Sequence, residues 1–354
     1  MTTMIDDARQ VTERLGLGTF KPSDEAPHEG RNENITGTTS SGHDVFVKKL
    51  KGDHAAHRLQ KLISFEQTCR RHLPPALRTP ECLGWEEANE IIVFQWLRHA
   101  ESGLSLAASD AFSGGLARRC GTLLGAVHTA PGDRSATPPP QPERPDLFKA
   151  LPLHYYERAS GAVLEFWSVL HRDGVATSCL TSLREASTRA PHTLIHADLR
   201  LDQFLIDSTG PLLCDWEEWD MGDPARDVGA FAGEWLYRAV RSIPTRPEGG
   251  LRTVDQDRSP RTRVLGRGLS GLAEARTKTV AFWNGYTAAT GIPADGLAER
   301  ATAYAGWHLL ERVLATAECR SQLSTLDRMT LGIGSTALRS PWKFAGVLGL
   351  GSHS

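Results

Sequence analysis

Residues 193–229, TLIHADLRLDQFLIDSTGPLLCDWEEWDMGDPARDVG, constrain this chain more than any other stretch. Three short apolar runs stand out, Thr193–His196, Phe204–Ile206 and Pro211–Cys214. Each has the length of a strand, and each stops at a charged or amide residue. The pattern predicts short strands that deliver polar side chains to one edge of a cleft. Those polar residues are regularly placed. His196, Asp198 and Gln203 form H-x-D-x-x-x-x-Q, Asp215 opens D-W-E, and residues 222–227 read G-D-P-A-R-D. Turn formation alone explains an isolated Asp-Pro or Gly-Asp. Three submotifs in this order call for a chemical explanation.

Phosphoryl transfer from a nucleotide needs such a set. One carboxylate orients or deprotonates the attacking hydroxyl, while an amide oxygen and a second carboxylate hold Mg²⁺ against the phosphates. The hard oxygen donors of Asp215 and Gln203 suit Mg²⁺ and not zinc. The stretch resembles the catalytic segment of the aminoglycoside-phosphotransferase-like kinases, relatives of protein kinases. Their pattern is H-G-D-x-x-x-x-N, then I-D-W-E, then G-D-P-A-x-D. The resemblance implies that Asp198 is the catalytic aspartate and that His196, which opens the motif, belongs to the catalytic set. It implies that Gln203 and Asp215 are the metal ligands, and that Asp227 is a buried aspartate hydrogen-bonded to the catalytic loop. The family residue at position 203 is usually Asn. Gln keeps the amide oxygen and moves it out by one methylene, so an inactive scaffold that binds nucleotide or a partner stays open as a second reading.

The N-terminal third supplies candidates for the nucleotide. Ile5, Ala8, Val11 and Leu15 have the spacing of an amphipathic helix over residues 4–16. Residues 26–50 predict two strands around Gly-rich turns, where Gly30 to Asn34 and Gly37 would let backbone N–H groups approach phosphates. Val45-Phe46-Val47-Lys48 alternates like a strand, so Lys48 shares a face with Phe46 and Lys49 points the other way. The run resembles the V-A-I-K strand whose lysine pairs the α- and β-phosphates. Leu59, Leu62, Ile63 and Glu66 follow a helical period, which makes Glu66 the candidate acidic partner of Lys48. Residues 91–97, IIVFQWL, read as a buried strand. The resemblance makes Gln95 to Leu97 the hinge whose backbone meets the adenine edge.

The remainder predicts helices: Leu116–His128, two or three over 151–187, Ala230–Val240, 271–290 and 297–323. His128 reads as a packing residue. Residues 131–145 are Pro-rich and polar, and predict an extended surface loop. Segment 238–268 carries eight Arg against two Asp and one Glu. It is either a solvated loop or a docking site for an acidic partner or substrate.

Composition narrows the class. The length of 354 residues suffices for two lobes with their own cores. A formal net charge of -2 argues for neither nucleic acid nor a membrane surface as partner. No run of 18 apolar residues exists, and the N-terminus lacks the features of a signal peptide. Six scattered cysteines form no C-x-x-C, as expected of buried thiols in a reducing cytosol.

The expected fold is therefore α+β and protein-kinase-like: a small β-rich lobe over residues 1–97 and a larger, mostly helical lobe over 98–354. The expected cofactors are ATP and Mg²⁺. Residues 304–354 hold three acids and five bases, which argues against a polycationic acceptor. A neutral hydroxyl compound fits. So does Ser or Thr of a ribosomally made peptide, as in the kinase-like subunits of lanthipeptide and thioamitide pathways, where a separate lyase would be the partner.

Overall fold

A computed structural model describes residues 2–24, 31–70, 73, 77–130, 147–148, 150–244, 260–291 and 296–351. In chain order the elements are α1 (Thr2–Arg14), β1 (Phe20–Pro22), β2 (Glu33–Thr39), β3 (Asp44–Lys49), α2 (Ala55–Ser64), β4 (Cys82–Glu86), β5 (Ile91–Gln95), β6 (Glu101–Ser102) and α3 (Gly103–Ala108). Then come α4 (Gly114–Thr129), α5 (Leu153–Arg158), α6 (Gly161–Arg172), α7 (Gly174–Arg189), β7 (Thr193–Ile195), β8 (Phe204–Asp207), β9 (Gly210–Leu213) and β10 (Asp220–Gly222). The chain continues with α8 (Ala225–Arg241), α9 (Pro260–Thr290), α10 (Leu297–Ala317), α11 (Thr325–Arg339) and α12 (Pro341–Leu348). The Pro-rich stretch 131–145, Gly30 and residues 245–259 of the Arg-rich segment lie outside the described residues. No described helix is long and apolar enough to cross a membrane.

These elements divide into two compact units. Among the described residues, one comprises those within 1–111, 129–130 and 202–221, and the other those within 112–128, 142–201 and 222–354. Residues 98–111 and 202–221, which follow the expected lobe boundary, thus pack with the first unit.

The first unit is built on a five-stranded sheet of order β1-β2-β3-β5-β4, with antiparallel pairing throughout. Strand alternation sorts its side chains. Val45 and Val47 of β3 and Ile91 and Val93 of β5 bury one face against Met4, Ala8 and Val11 of α1. Those α1 residues recur at i, i+4 and i+7, so one stripe of the helix covers the sheet. Phe46 and Lys48 project from the opposite face. Gly37 stands where packing admits no side chain. A Cβ there would stand 2.3 Å from the Lys21 carbonyl oxygen and 2.5 Å from the Phe20 ring. A short sheet of order β6-β8-β9 completes the unit.

The second unit is mostly helical. Beyond the helix expected over 297–323, the chain forms α11 and α12, for which the sequence analysis sets no expectation. A capping box starts α11: the Ser324 hydroxyl accepts from the Asp327 N–H, and Asp327 accepts from the Ser324 N–H.

Glycines set the helix spacings. A Cβ on Gly121 of α4 would meet the Phe282 carbonyl oxygen of α9 at 2.0 Å, and one on Gly285 would meet the Arg118 carbonyl oxygen at 2.0 Å. Gly121→Ala therefore destabilises the protein by about 1–3 kcal/mol, because overpacking outweighs the better helix propensity. Gly266→Ala, where a Cβ meets nothing within 4 Å, stabilises by about 0.5–1 kcal/mol. Urea unfolding of both variants checks the opposite signs.

Candidate active site

The sheet unit gathers an ion-pair cluster. Lys48 lies between Asn34 of β2 and Ile92 of β5 in the register, and its side chain is buried. Its Nζ reaches Asp215 Oδ1 at 2.5 Å and Glu217 Oε2 at 2.7 Å. Burial pulls the pKa of the ammonium down, but the two carboxylates more than offset this and hold it above its ordinary value. Lys49 behaves as the opposite-face control, with Nζ 2.5 Å from Asp7 of α1.

Glu217 collects more than Lys48. Arg31 donates to its Oε1 at 2.9 Å, Asn32 Nδ2 to its Oε2 at 3.1 Å, and Arg58 of α2 lies 3.4 Å from Oε1. Burial raises the carboxyl's pKa, but the cations of Lys48, Arg58 and Arg31 pull it well below the usual carboxylate range.

Glu66 is not the partner of Lys48. It sits in a single π-helical turn, residues 65–69, that follows α2, and it pairs with Arg70 at 2.6 Å. Burial lifts its carboxyl above the ordinary value, partly offset by Arg70. The α2 residue engaged with the lysine's cluster is Arg58.

Apolar contacts fix the segment that carries Asp215 and Glu217. Trp216 stacks on Phe65 with ring centroids 4.4 Å apart and 11° between planes. Trp219 Nε1 donates to the Lys61 carbonyl at 2.7 Å. Asp215 itself adopts a left-handed backbone, φ 68°, a conformation that costs a non-glycine residue about 1–3 kcal/mol and is held by its surroundings.

The β8–β9 hairpin brings the two expected metal ligands to one end. Phe204 pairs with Leu213, and the Gln203 carbonyl accepts the Cys214 N–H at 3.0 Å. Gln203 is buried, whereas the Asp215 side chain keeps 30% of its surface exposed. Among the described residues no cluster of three or more His, Cys, Asp or Glu could hold a metal alone. A carboxylate, an amide oxygen and phosphate oxygens form a hard donor set that fits a divalent cation. The expected hinge is also placed. Gln95 N–H donates to the Glu81 carbonyl and Trp96 N–H to the Asp44 carbonyl, while among the described residues nothing accepts the N–H of Leu97.

The helical unit holds the catalytic-loop candidate. Asp227, in the first turn of α8, is fully buried. Its Oδ2 accepts the His196 N–H at 2.7 Å and its Oδ1 the Ala197 N–H at 2.9 Å. His128 Nε2 stands 3.2 Å from Oδ2, and its Nδ1 is 2.9 Å from the Tyr286 hydroxyl. Burial raises the Asp227 pKa, but His128, His196 and the backbone donors hold it below its ordinary value. Ala197 is left-handed, φ 67°. One carboxylate thus clamps a strained bend directly before Asp198. The Asp198 side chain is 44% exposed, with Arg200 Nη1 3.7 Å from Oδ2. His196, expected in the catalytic set, is completely buried.

The sequence analysis gives no role to Glu217 or Arg58, and takes Arg31 and Asn32 only as backbone near the phosphates, not as partners of Glu217. A signal was present: α2 carries Arg58 and Lys61 among its buried apolar residues, and buried cations require an acid from elsewhere.

Residues 27–255 match the APH phosphotransferase enzyme family. The fold is kinase-like, as solved structures show. Choline kinase LicA from Streptococcus pneumoniae aligns at 14% identity and TM-score 0.54, covering 95% of this chain and 99% of that one. A choline/ethanolamine kinase family protein from Mesorhizobium loti aligns at 15% identity and TM-score 0.55, covering 98% and 100%. Amicoumacin kinase hAmiN, in complex with AMP-PNP, Ca²⁺ and Ami, aligns at 11% identity and TM-score 0.53, covering 96% of each chain. No curated protein matches the sequence.

Proposed function

This chain belongs to the phosphotransferase enzyme family, and we propose that it moves the γ-phosphoryl group of ATP to an acceptor hydroxyl with the help of a divalent cation, Mg²⁺ first. The observation that carries this reading is the Lys48–Asp215 pair, at 2.5 Å. It joins a strand lysine suited to phosphate oxygens with a partly exposed carboxylate suited to a cation. Solved relatives of the same fold include a kinase with AMP-PNP and Ca²⁺ bound, in keeping with nucleotide and divalent-cation use.

In this reading the backbone of Gln95 and Leu97 meets the adenine edge. Lys48 contacts the phosphates, with the segment around Asn34. Gln203 and Asp215 hold the cation, which when bound neutralises charge on the phosphate oxygens. Asp198 accepts the proton of the acceptor hydroxyl as its oxygen bonds to the γ-phosphorus and ADP leaves. The clamp on residues 196 and 197 fixes the carboxylate for that work.

For the acceptor, the excess of bases over acids in residues 304–354 favours a molecule without several positive charges. We take Ser or Thr of a ribosomally made peptide first, phosphorylated in the cytoplasm for elimination by a partner lyase. A small neutral metabolite or antibiotic is the alternative. The Gln at 203 keeps one further reading in view, a nucleotide-binding scaffold without turnover.

Lys48→Ala tests the nucleotide assignment. It raises the ATP Kd by about tenfold or more, as for loss of one charge-assisted contact. Lys49→Ala, facing α1, leaves it within about twofold. Equal effects measured by calorimetry remove Lys48 from the site.

A further inference from the structure

We propose that Glu217 is the positioning residue for Lys48, replacing the helix-borne acid that the kinase resemblance leads one to expect; the proposal rests on the nucleotide reading above. The helix after the lysine strand offers no such acid. Glu66 is turned to Arg70, and α2 presents the buried Arg58 to Glu217 instead. The polarity is inverted: the helix supplies a cation, and the acid comes from two residues beyond the expected metal ligand.

The donors that meet Glu217 arrive from three places. Lys48 comes from β3, Arg58 from α2, and Arg31 with Asn32 from the residues leading into β2. An ionised carboxylate offers about four acceptor positions, so these four donors saturate it. Glu217 therefore fastens the lysine, the helix and the entry to β2 to one point. A buried carboxylate with several cations around it is firmly held, since removing it leaves charges unpaired.

Its second partner gives Glu217 a functional consequence. Lys48 bridges Glu217 and Asp215. With Glu217 in place, the ammonium keeps an ionic partner when Asp215 turns to a cation. Without Glu217, Lys48 would have Asp215 as its only carboxylate among the described residues, and each would hold the other away from phosphate and metal. Glu217 thus keeps Lys48 oriented and leaves Asp215 available.

A double-mutant cycle on the full-length protein tests this. ATP affinity is measured by calorimetry at low and high Mg²⁺ for wild type, Lys48→Met, Glu217→Gln and the double variant. Each single change weakens binding about tenfold or more, and the double variant is within about twofold of the weaker single, because Glu217 acts through Lys48. High Mg²⁺ restores Glu217→Gln in part, by competing with Lys48 for Asp215, and does not restore Lys48→Met. A purely structural role would move neither the coupling nor the Mg²⁺ dependence. Should Glu217→Gln fail to fold, the cycle runs with Arg58→Met present throughout, which removes one unpaired cation. Additive losses, or an equal loss from Glu66→Gln, overturn the proposal while the nucleotide reading stands. A wild type that binds no nucleotide overturns both.

Discussion

Asp198→Asn lowers the rate of phosphoryl transfer by about 10²–10⁴-fold, the usual contribution of a positioned base. ATP affinity stays within about twofold of wild type, since Asp198 is assigned to the acceptor hydroxyl and not to the nucleotide. The substitution is nearly isosteric, and the side chain it alters is 44% exposed, so folding is little affected. The expectation follows from how the loop is held. Asp227 takes the N–H groups of His196 and Ala197, and the left-handed Ala197 aims the next residue. Steady-state kinetics with a separate nucleotide titration check both halves. Near-normal turnover would move the base elsewhere.

Asp227→Asn destabilises the folded protein by about 3–5 kcal/mol and lowers activity with it. The amide offers one oxygen where two backbone N–H groups and His128 now find acceptors, leaving buried donors unpaired. The same aspartate contributes to pH dependence. Its folded pKa lies below its ordinary value of 3.8. A depressed carboxylate pKa contributes stability that is fully present above 3.8 and is lost as pH falls through the folded value. The difference between wild type and Asp227→Asn in chemical unfolding therefore shrinks as pH falls below about 4. Other depressed carboxylates affect both proteins alike, so the difference curve isolates this one. A difference that grows on acidification would contradict the assignment.

The candidate residues of each unit are legible where they are local in sequence. Asp198, Gln203 and Asp215 sit at fixed spacings around short strands, and the hairpin does bring residues 203 and 215 to one end. The opposite faces of Lys48 and Lys49 followed from strand alternation alone. The lysine's partner was not local. Residues 48 and 217 are joined by tertiary packing, through Trp216 on Phe65, and no periodicity encodes that. Glu66 continues the helical period of Leu59 and Leu62 in the sequence. The π turn at residues 65–69 breaks that period. An extra residue per turn rotates the side chain away from the face it would otherwise share. Helix α11 was hidden for another reason. Gly332 and Gly334 weaken its helical signal, yet a Cβ on Gly334 would stand 2.8 Å from the Gly306 carbonyl oxygen of α10. The glycine serves helix contact, and composition alone reads it as a breaker.

If Lys48 and Asp215 hold ATP with a divalent cation and Asp198 completes the reaction, nucleotide binding and turnover separate in two assays. The most direct measurement is ATP titration into the full-length protein with and without Mg²⁺, together with ADP formation by wild type and Asp198→Asn. Mg²⁺-dependent binding is expected of both proteins, with ADP formation by wild type that falls about 10²-fold or more in the variant. Binding that ignores Mg²⁺, or equal ADP formation by the two proteins, would contradict these roles.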